Sequence, residues 1–98
     1  MRIDQGWNAM FEADDRLPFT DADIADVIGA SVVYGDYAET DIVVLVRLND
    51  GRYAQASAWC DTTGWDCRSG ASGSIHDTQE QAWAAIGDEG RDRLEGMA

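Results

Sequence analysis

The longest apolar run in the chain extends from Ile42 to Val46 and lies within the clearest predicted β-strand, residues 42–48. Asn49-Asp50-Gly51 follows it and has the composition of a hairpin connection, in which Gly51 suits a left-handed position after a type I turn. Residues 52–59 then read as the returning strand. This stretch predicts a β-hairpin.

The register of this hairpin decides which side chains share a face of the sheet. A three-residue loop puts seven apolar residues on one face: Ile42, Val44, Val46, Leu48, Ala54, Ala56 and Ala58. The opposite face then carries a mixed set: Val43, Leu45, Arg47, Tyr53, Gln55, Ser57 and Trp59. A two-residue loop would swap the faces of the returning strand. We expect the three-residue loop, with a helix packed closely on the small alanines.

Apolar spacing of three and four residues predicts two helices before the hairpin. Residues 5–14 place Trp7, Met10 and Phe11 on one face, and this helix should end at Leu17-Pro18. The second helix should start at a Thr20 cap and end at Gly29, with Phe19 and Ile24 as a hydrophobic staple. Its buried stripe would consist of Ile24, Val27 and Ile28.

The remaining elements are shorter. Residues 31–37 predict a strand with a possible bulge at Gly35, and residues 72–76 predict a short edge strand. Asp77, with Glu80 three residues later, predicts the start of a helix that ends at Gly87. Its inner stripe would be Ala82, Trp83 and Ile86, and a last helix capped by Asp88 would carry Leu94 and Met97. The whole chain, 1–98, is expected to be a single α+β domain, with an antiparallel three- to four-stranded sheet covered by helices on one face.

Charge limits the possible partners. The chain has 19 acidic residues, seven arginines and no lysine, for a formal net charge of -12. Binding to nucleic-acid phosphates or to an anionic membrane requires a basic surface, so both are excluded as direct partners. A neutral or basic protein is the expected partner. The acidity is carried by residues 1–41 and 77–98, whereas residues 42–76 have three acidic and three basic residues.

Composition also bears on origin and compartment. Fourteen Asp, and Arg in the complete absence of Lys, suit a high-GC genome better than the alternative, a halophilic source. The first residues lack the basic and apolar regions of a secretory leader. A cytoplasmic protein with reduced thiols is therefore expected.

The segment from Cys60 to Gly70 concentrates both cysteines with Asp, Thr, Gly and Trp65. Two reduced, half-buried structural thiols are the simplest interpretation, and a Cys60–Cys67 disulfide is the alternative in an oxidising compartment. A metal site would combine both cysteines with Asp61, Asp66 or His76, but their spacing is wider than in common zinc knuckles. A nucleophilic pair would need a cysteine beside His76, the only histidine. No phosphate-binding glycine loop or calcium-loop spacing occurs, and no cofactor is expected.

The run Asp50-Gly51-Arg52-Tyr53, followed by Ser57-Ala58-Trp59-Cys60 and the residues through Cys67, resembles small uncharacterised proteins of actinobacteria and their phages. The resemblance covers roughly the second half of the chain. It implies a phage or host origin with a high GC content, and it implies no activity.

Three functional hypotheses follow. The first is a non-enzymatic interaction domain, such as a phage accessory protein acting on a host protein, with contact residues Tyr53, Trp59, Trp65 and Arg68. The second is a DNA mimic that inhibits a nucleic-acid-binding protein through a row of carboxylates: Asp14, Asp15, Asp21, Asp23 and Asp26. The third is a small hydrolase or metal-binding loop at Cys60, Cys67 and His76.

Overall fold

The computed structural model describes residues 17–34, 40–60 and 69–95 of the chain. Four strands pair with their sequence neighbours in one antiparallel sheet, in the order β1-β2-β3-β4. They are β1 (Ile24–Tyr34), β2 (Thr40–Leu48), β3 (Tyr53–Cys60) and β4 (Ser69–His76). Two helices follow, α1 (Gln79–Ala85) and α2 (Asp88–Glu95). The predicted α+β class is confirmed.

The β2–β3 hairpin has the expected three-residue loop. The Leu48 amide donates to the Arg52 carbonyl at 2.8 Å, and Gly51 has a φ of 91°, the left-handed position predicted for it. Arg52 also donates from its side chain to the Asp50 carboxylate, with Nε to Oδ2 at 2.8 Å. These hydrogen bonds hold the pKa of Asp50 below its ordinary value. The loop is therefore stabilised by both backbone and side-chain contacts.

The register of this hairpin confirms the predicted faces. Ile42 lies opposite Ala58, Val44 opposite Ala56, and Val46 opposite Ala54. We call this side of the sheet the alanine face and the side that carries Val43, Leu45, Gln55, Ser57 and Trp59 the helix face. On the alanine face Ile42, Val44 and Val46 are fully buried, Phe19 belongs to the same cluster, and Leu17 packs against it.

The predicted helix from Thr20 to Gly29 is wrong. Thr20 does begin a helical turn, because its amide donates to the Asp23 carboxylate at 2.8 Å. That turn is a short 3-10 helix, Asp21–Asp23, and strand β1 begins immediately after it at Ile24.

Two β-bulges explain how a strand acquired helical spacing. Ile24 lies opposite Leu48, Val27 opposite Val46 and Ala30 opposite Val44, with register shifts between Ile24 and Asp26 and between Val27 and Gly29. Each shift inserts one residue, so side chains on the alanine face recur every three residues instead of every two. This spacing imitates one face of a helix.

The helices cover the face opposite to the one expected. Ala82, Ile86 and Leu94 pack with Val43 and Leu45, on the helix face. Close approach is provided by glycine rather than alanine: a side chain at Gly90 would lie 2.8 Å from Ile86 Cγ2 and 3.1 Å from Val43 Cγ1. Because Gly90 lacks a Cβ, α2 can lie directly against β2.

Several predicted boundaries shift. The cap of α1 is Thr78 rather than Asp77, since the Gln81 amide donates to Thr78 Oγ1 at 3.1 Å. Asp88 is the first residue of α2 rather than its cap, and β4 is longer than predicted because it begins at Ser69. The predicted helix at 5–14, the bulge at Gly35 and Met97 lie outside the described residues. In the described part of the chain, none of the helices has the length and apolarity needed to cross a bilayer.

Candidate functional site

Trp59 is the most conspicuous exposed aromatic residue in the described part of the chain. It lies near the end of β3 on the helix face, opposite Gly70 of β4, and 47% of it is accessible. A Cβ at Gly70 would lie 2.6 Å from Trp59 Nε1 and 3.0 Å from Cε2. The indole therefore lies directly over the glycine, which fixes its position while leaving much of the ring open.

A cleft of about 350 Å³ opens beside this indole. The helix face of the sheet forms the floor of the cleft. The junction between α1 and α2 forms one of its walls. Its lining includes Gln55, Ser57, Trp59, Ser72, Glu89 and Arg93. The cleft is open to solvent and combines an aromatic ring with short polar side chains.

Arg93 of α2 forms one end of the cleft and is held rigidly. Its guanidinium donates to the side chain and backbone of Ser31, with Nε to Oγ at 3.0 Å and Nη2 to O at 3.1 Å. It also donates to Asp41, with Nη1 to Oδ1 at 3.0 Å and Nη2 to O at 3.1 Å. The arginine thus connects α2 to β1 and β2, and its charge is already paired.

Unlike Arg93, Glu89 has an exposed and unpaired side chain among the described residues. It is exposed, it lines the cleft, and no hydrogen bond or ion pair engages it within the described residues. With Asp41 paired to Arg93, Glu89 supplies a free charge among the described residues that line the cleft. A cleft with both an exposed indole and a free carboxylate suits a cation, because the face of an aromatic ring attracts positive charge.

Two of the four predicted contact residues, Tyr53 and Trp59, lie within the described part of the chain, and they are not brought together. Tyr53 and Trp59 share the helix face but lie six residues apart on one strand, which separates them by roughly 20 Å. Tyr53 is half-buried against the core cluster beneath the helices. Trp65 and Arg68 lie outside the described residues. Within the described residues, Trp59 is therefore the residue of this set that borders the cleft.

Cys60 and His76 do not form a pair. Cys60 lies opposite Ser69, and His76 lies opposite Tyr53, so the two are at opposite ends of the β3–β4 ribbon, roughly 23 Å apart. This separation rules out both a Cys60–His76 nucleophilic pair and a metal ion shared by them. Cys67, and with it the possible disulfide to Cys60, lies outside the described residues. Among those residues, no group of three His, Cys, Asp or Glu is arranged to hold a metal.

His76 has another partner, which sequence reasoning missed. Its Nε2 lies 2.6 Å from Ser74 Oγ, and Gln55 Nε2 donates to the same oxygen at 2.8 Å. Alternation of Ser72, Ser74 and His76 along β4 is the signal that could have revealed this polar row on the helix face. A serine nucleophile needs a third group to orient its histidine, and no carboxylate in the described part of the chain hydrogen-bonds to His76. The row therefore joins β3 to β4 through polar contacts.

The DNA-mimic hypothesis assumed that a helix carries the acidic residues around Asp23. The structure has a short 3-10 turn and strand β1 there instead. Asp23 is engaged by Thr20 within the short 3-10 turn, and Asp26 lies on β1 opposite Arg47. Asp21 belongs to the same turn as Asp23. Asp14 and Asp15 lie outside the described residues. The helical spacing that motivated a row of phosphate-like charges does not occur at Asp21, Asp23 and Asp26.

Gly70→Ala is expected to destabilise the protein by about 1–2 kcal/mol, because the new methyl group would overlap the Trp59 indole. Urea unfolding measures the loss. The matched control is the same substitution in a Trp59→Ala background, where the overlap disappears and the loss should vanish. An equal loss in both backgrounds would contradict the packing of Trp59 over Gly70.

No protein-family model, curated protein or solved structure matches the chain.

Proposed function

We propose that this protein is a small non-enzymatic interaction domain that binds a basic side chain of a partner protein in the cleft beside Trp59. The observation that carries the proposal is an indole that is 47% exposed yet fixed over Gly70, in a cleft that is also lined by Glu89, a carboxylate that is unpaired among the described residues. The described residues offer no comparable combination elsewhere.

The physical basis is a preorganised aromatic surface. Fixing Trp59 before binding reduces the side-chain entropy lost when a partner arrives. A cation over an indole contributes about 0.5–1 kcal/mol at an exposed site and about 2 kcal/mol when it is desolvated. Glu89 adds a charge-assisted hydrogen bond to the same group. Tryptophan is also among the residues that most often dominate binding energy in protein interfaces.

Net charge supports the same class of partner. A chain with a formal charge of -12 attracts basic proteins over long distances and repels acidic ones, and this steering weakens as salt is added. The resemblance to small actinobacterial and actinophage proteins makes a cytoplasmic host protein the expected source of the basic segment. The enzymatic alternative has less support, because Cys60 and His76 are far apart and the Ser74–His76 pair has no orienting carboxylate among the described residues.

The test is selection from a displayed library of random unstructured peptides, with the full-length protein as target. We expect the selected peptides to be enriched in Arg and Lys, and Trp59→Ala to weaken their binding at least tenfold. Ile28→Ala is the matched control, since Ile28 is an exposed apolar residue on a bulge of β1 and does not line the cleft. Selection of peptides without basic residues, equal binding to Trp59→Ala, or no selected peptide at all would overturn the proposal.

A further inference from the structure

Within the described residues, β1 and β4 form the two edges of the sheet, and they differ in how they are protected. Natural proteins block an exposed edge strand with bulges, charges or proline, because its unpaired backbone groups can bind another strand. Strand β1 has two bulges and carries Asp26. Strand β4 pairs with β3 in an unbroken register over all eight residues and contains no proline, Asp, Glu, Lys or Arg.

The free side of β4 is open within the described residues. In an antiparallel strand, alternate residues direct their N–H and C=O groups away from the neighbour, so about half of those in β4 point away from β3. Among the described residues, none of the backbone hydrogen bonds outside regular elements involves Ser69–His76. Helix α1 packs over β3 and β4 on the helix face. It lies above the strands rather than in the hydrogen-bonding plane beside them.

We infer that the β4 edge binds an extended segment of the basic partner as a fifth antiparallel or parallel strand. The inference rests on the proposed function and names its binding mode. A fifth strand would lie about 10 Å from β3, two strand spacings away. Between it and Trp59 lies Gly70, which has no side chain, with Ser72 beside it. An arginine or lysine side chain of the added strand can therefore reach over β4 to the Trp59 indole.

The alternation of β4 predicts the pattern of the bound segment. Gly70, Ser72 and the residues at the same spacing face the helix side, whereas Ala71 and Ile75 belong to the apolar cluster on the alanine face. Neighbouring side chains in an added strand would alternate in the same way. The basic residue should thus be flanked on both sides by apolar, preferably β-branched, residues that pack beside Ala71 and Ile75.

Charge identifies the occupant as a basic segment rather than a second copy of this chain. Two copies joined through β4 would bring together two chains of formal charge -12. The acidic residues 77–95 follow directly after β4 in each copy. Like charges at this proximity oppose association, whereas a basic segment gains from the same field.

The probe is a synthetic nine-residue peptide with a central arginine, valine on both sides of it, and threonine and valine alternating outward. We expect binding by calorimetry, together with new hydrogen-exchange protection of alternate amides in residues 69–76. A series of peptides, each N-methylated at one backbone nitrogen, tests strand addition without altering the protein. Methylation should weaken binding at least tenfold at every second position and less than threefold at the positions between. Replacing the arginine by glutamate should abolish binding.

The outcomes separate the two proposals. If Trp59→Ala weakens binding but N-methylation has no alternating effect, strand addition is wrong and the proposed function stands. If the alternating effect persists while Trp59→Ala binds equally well, the strand addition stands and the role of the cleft is wrong. Absence of peptide binding, or concentration-dependent dimerisation through β4 without a peptide, would overturn the inference.

Discussion

Val44→Asn is expected to lower the free energy of unfolding by about 2.5–6 kcal/mol. Val44 is fully buried at the centre of the alanine face, between Ala30 of β1 and Ala56 of β3. Removing its apolar side chain from the core loses about 1.5–3 kcal/mol. Burying an amide without hydrogen-bond partners adds about 1–3 kcal/mol by protein mutational data. A small domain has a total stability of about 5–15 kcal/mol, so this loss removes a large fraction of it and should shift the urea midpoint far to lower concentration.

The matched control for this prediction is Val33→Asn. Val33 also lies in a strand of this sheet, but 49% of it is exposed. The control should lose less than about 1 kcal/mol, the span of strand propensities. Urea unfolding followed by circular dichroism compares the two variants. Equal losses would show that Val44 is not at the centre of the core.

The hairpin could be predicted because local chemistry and the apolar pattern agree there. Asn49-Asp50-Gly51 specifies a turn that needs a left-handed residue, and the requirement for one apolar face then selects the register. The same reasoning correctly placed Trp59 on the mixed face. Where the turn and the pattern give the same answer, sequence alone is sufficient.

Strand β1 could not be predicted, because its bulges change the apparent period. A spacing of three between Ile24, Val27 and Ala30 is common to a helix and to a twice-bulged strand, and the predicted Thr20 cap favoured the helix. The β-branched content of the strand was the contrary signal, but propensity is weaker than periodicity in such a window. The segment forms a strand because it pairs with β2, and this pairing is a tertiary contact that the local sequence does not reveal.

The cleft depends on contacts between residues far apart in sequence. Trp59 could be predicted as a contact residue from its residue type. Glu89 and Arg93 could not be predicted as part of the site, because charged residues on a short helix are ordinarily solvated. Gly70 and Gly90 are decisive for a different reason. The first lets an indole lie over β4, and the second lets α2 lie on β2. A missing Cβ becomes informative only when the neighbouring element is known.

Arg93→Met is expected to destabilise the protein by about 2–4 kcal/mol and to loosen α2 from the sheet. The guanidinium makes four hydrogen bonds to Ser31 and Asp41, and only 18% of its side chain is exposed. A hydrogen bond to a charged group contributes about 1.5–3 kcal/mol, and bonds that share one side chain are not additive. Methionine retains much of the apolar stem and a high helix propensity, so the loss reports the hydrogen bonds.

The matched control for Arg93 is Arg91→Met, two residues away in the same helix. Arg91 pairs within α2 with Asp88, whose carboxylate is almost fully exposed, and it donates to the Ala84 carbonyl at a long distance of 3.4 Å, so this substitution should lose less than about 1 kcal/mol. Arg93→Lys should resemble Arg93→Met, because a point charge cannot reproduce a fork that binds two residues at once. Thermal unfolding ranks the variants, and hydrogen exchange in residues 88–95 reports whether α2 detaches. Equal stability of Arg91→Met and Arg93→Met would contradict the anchoring role, and the rigid wall of the Trp59 cleft would then need another source.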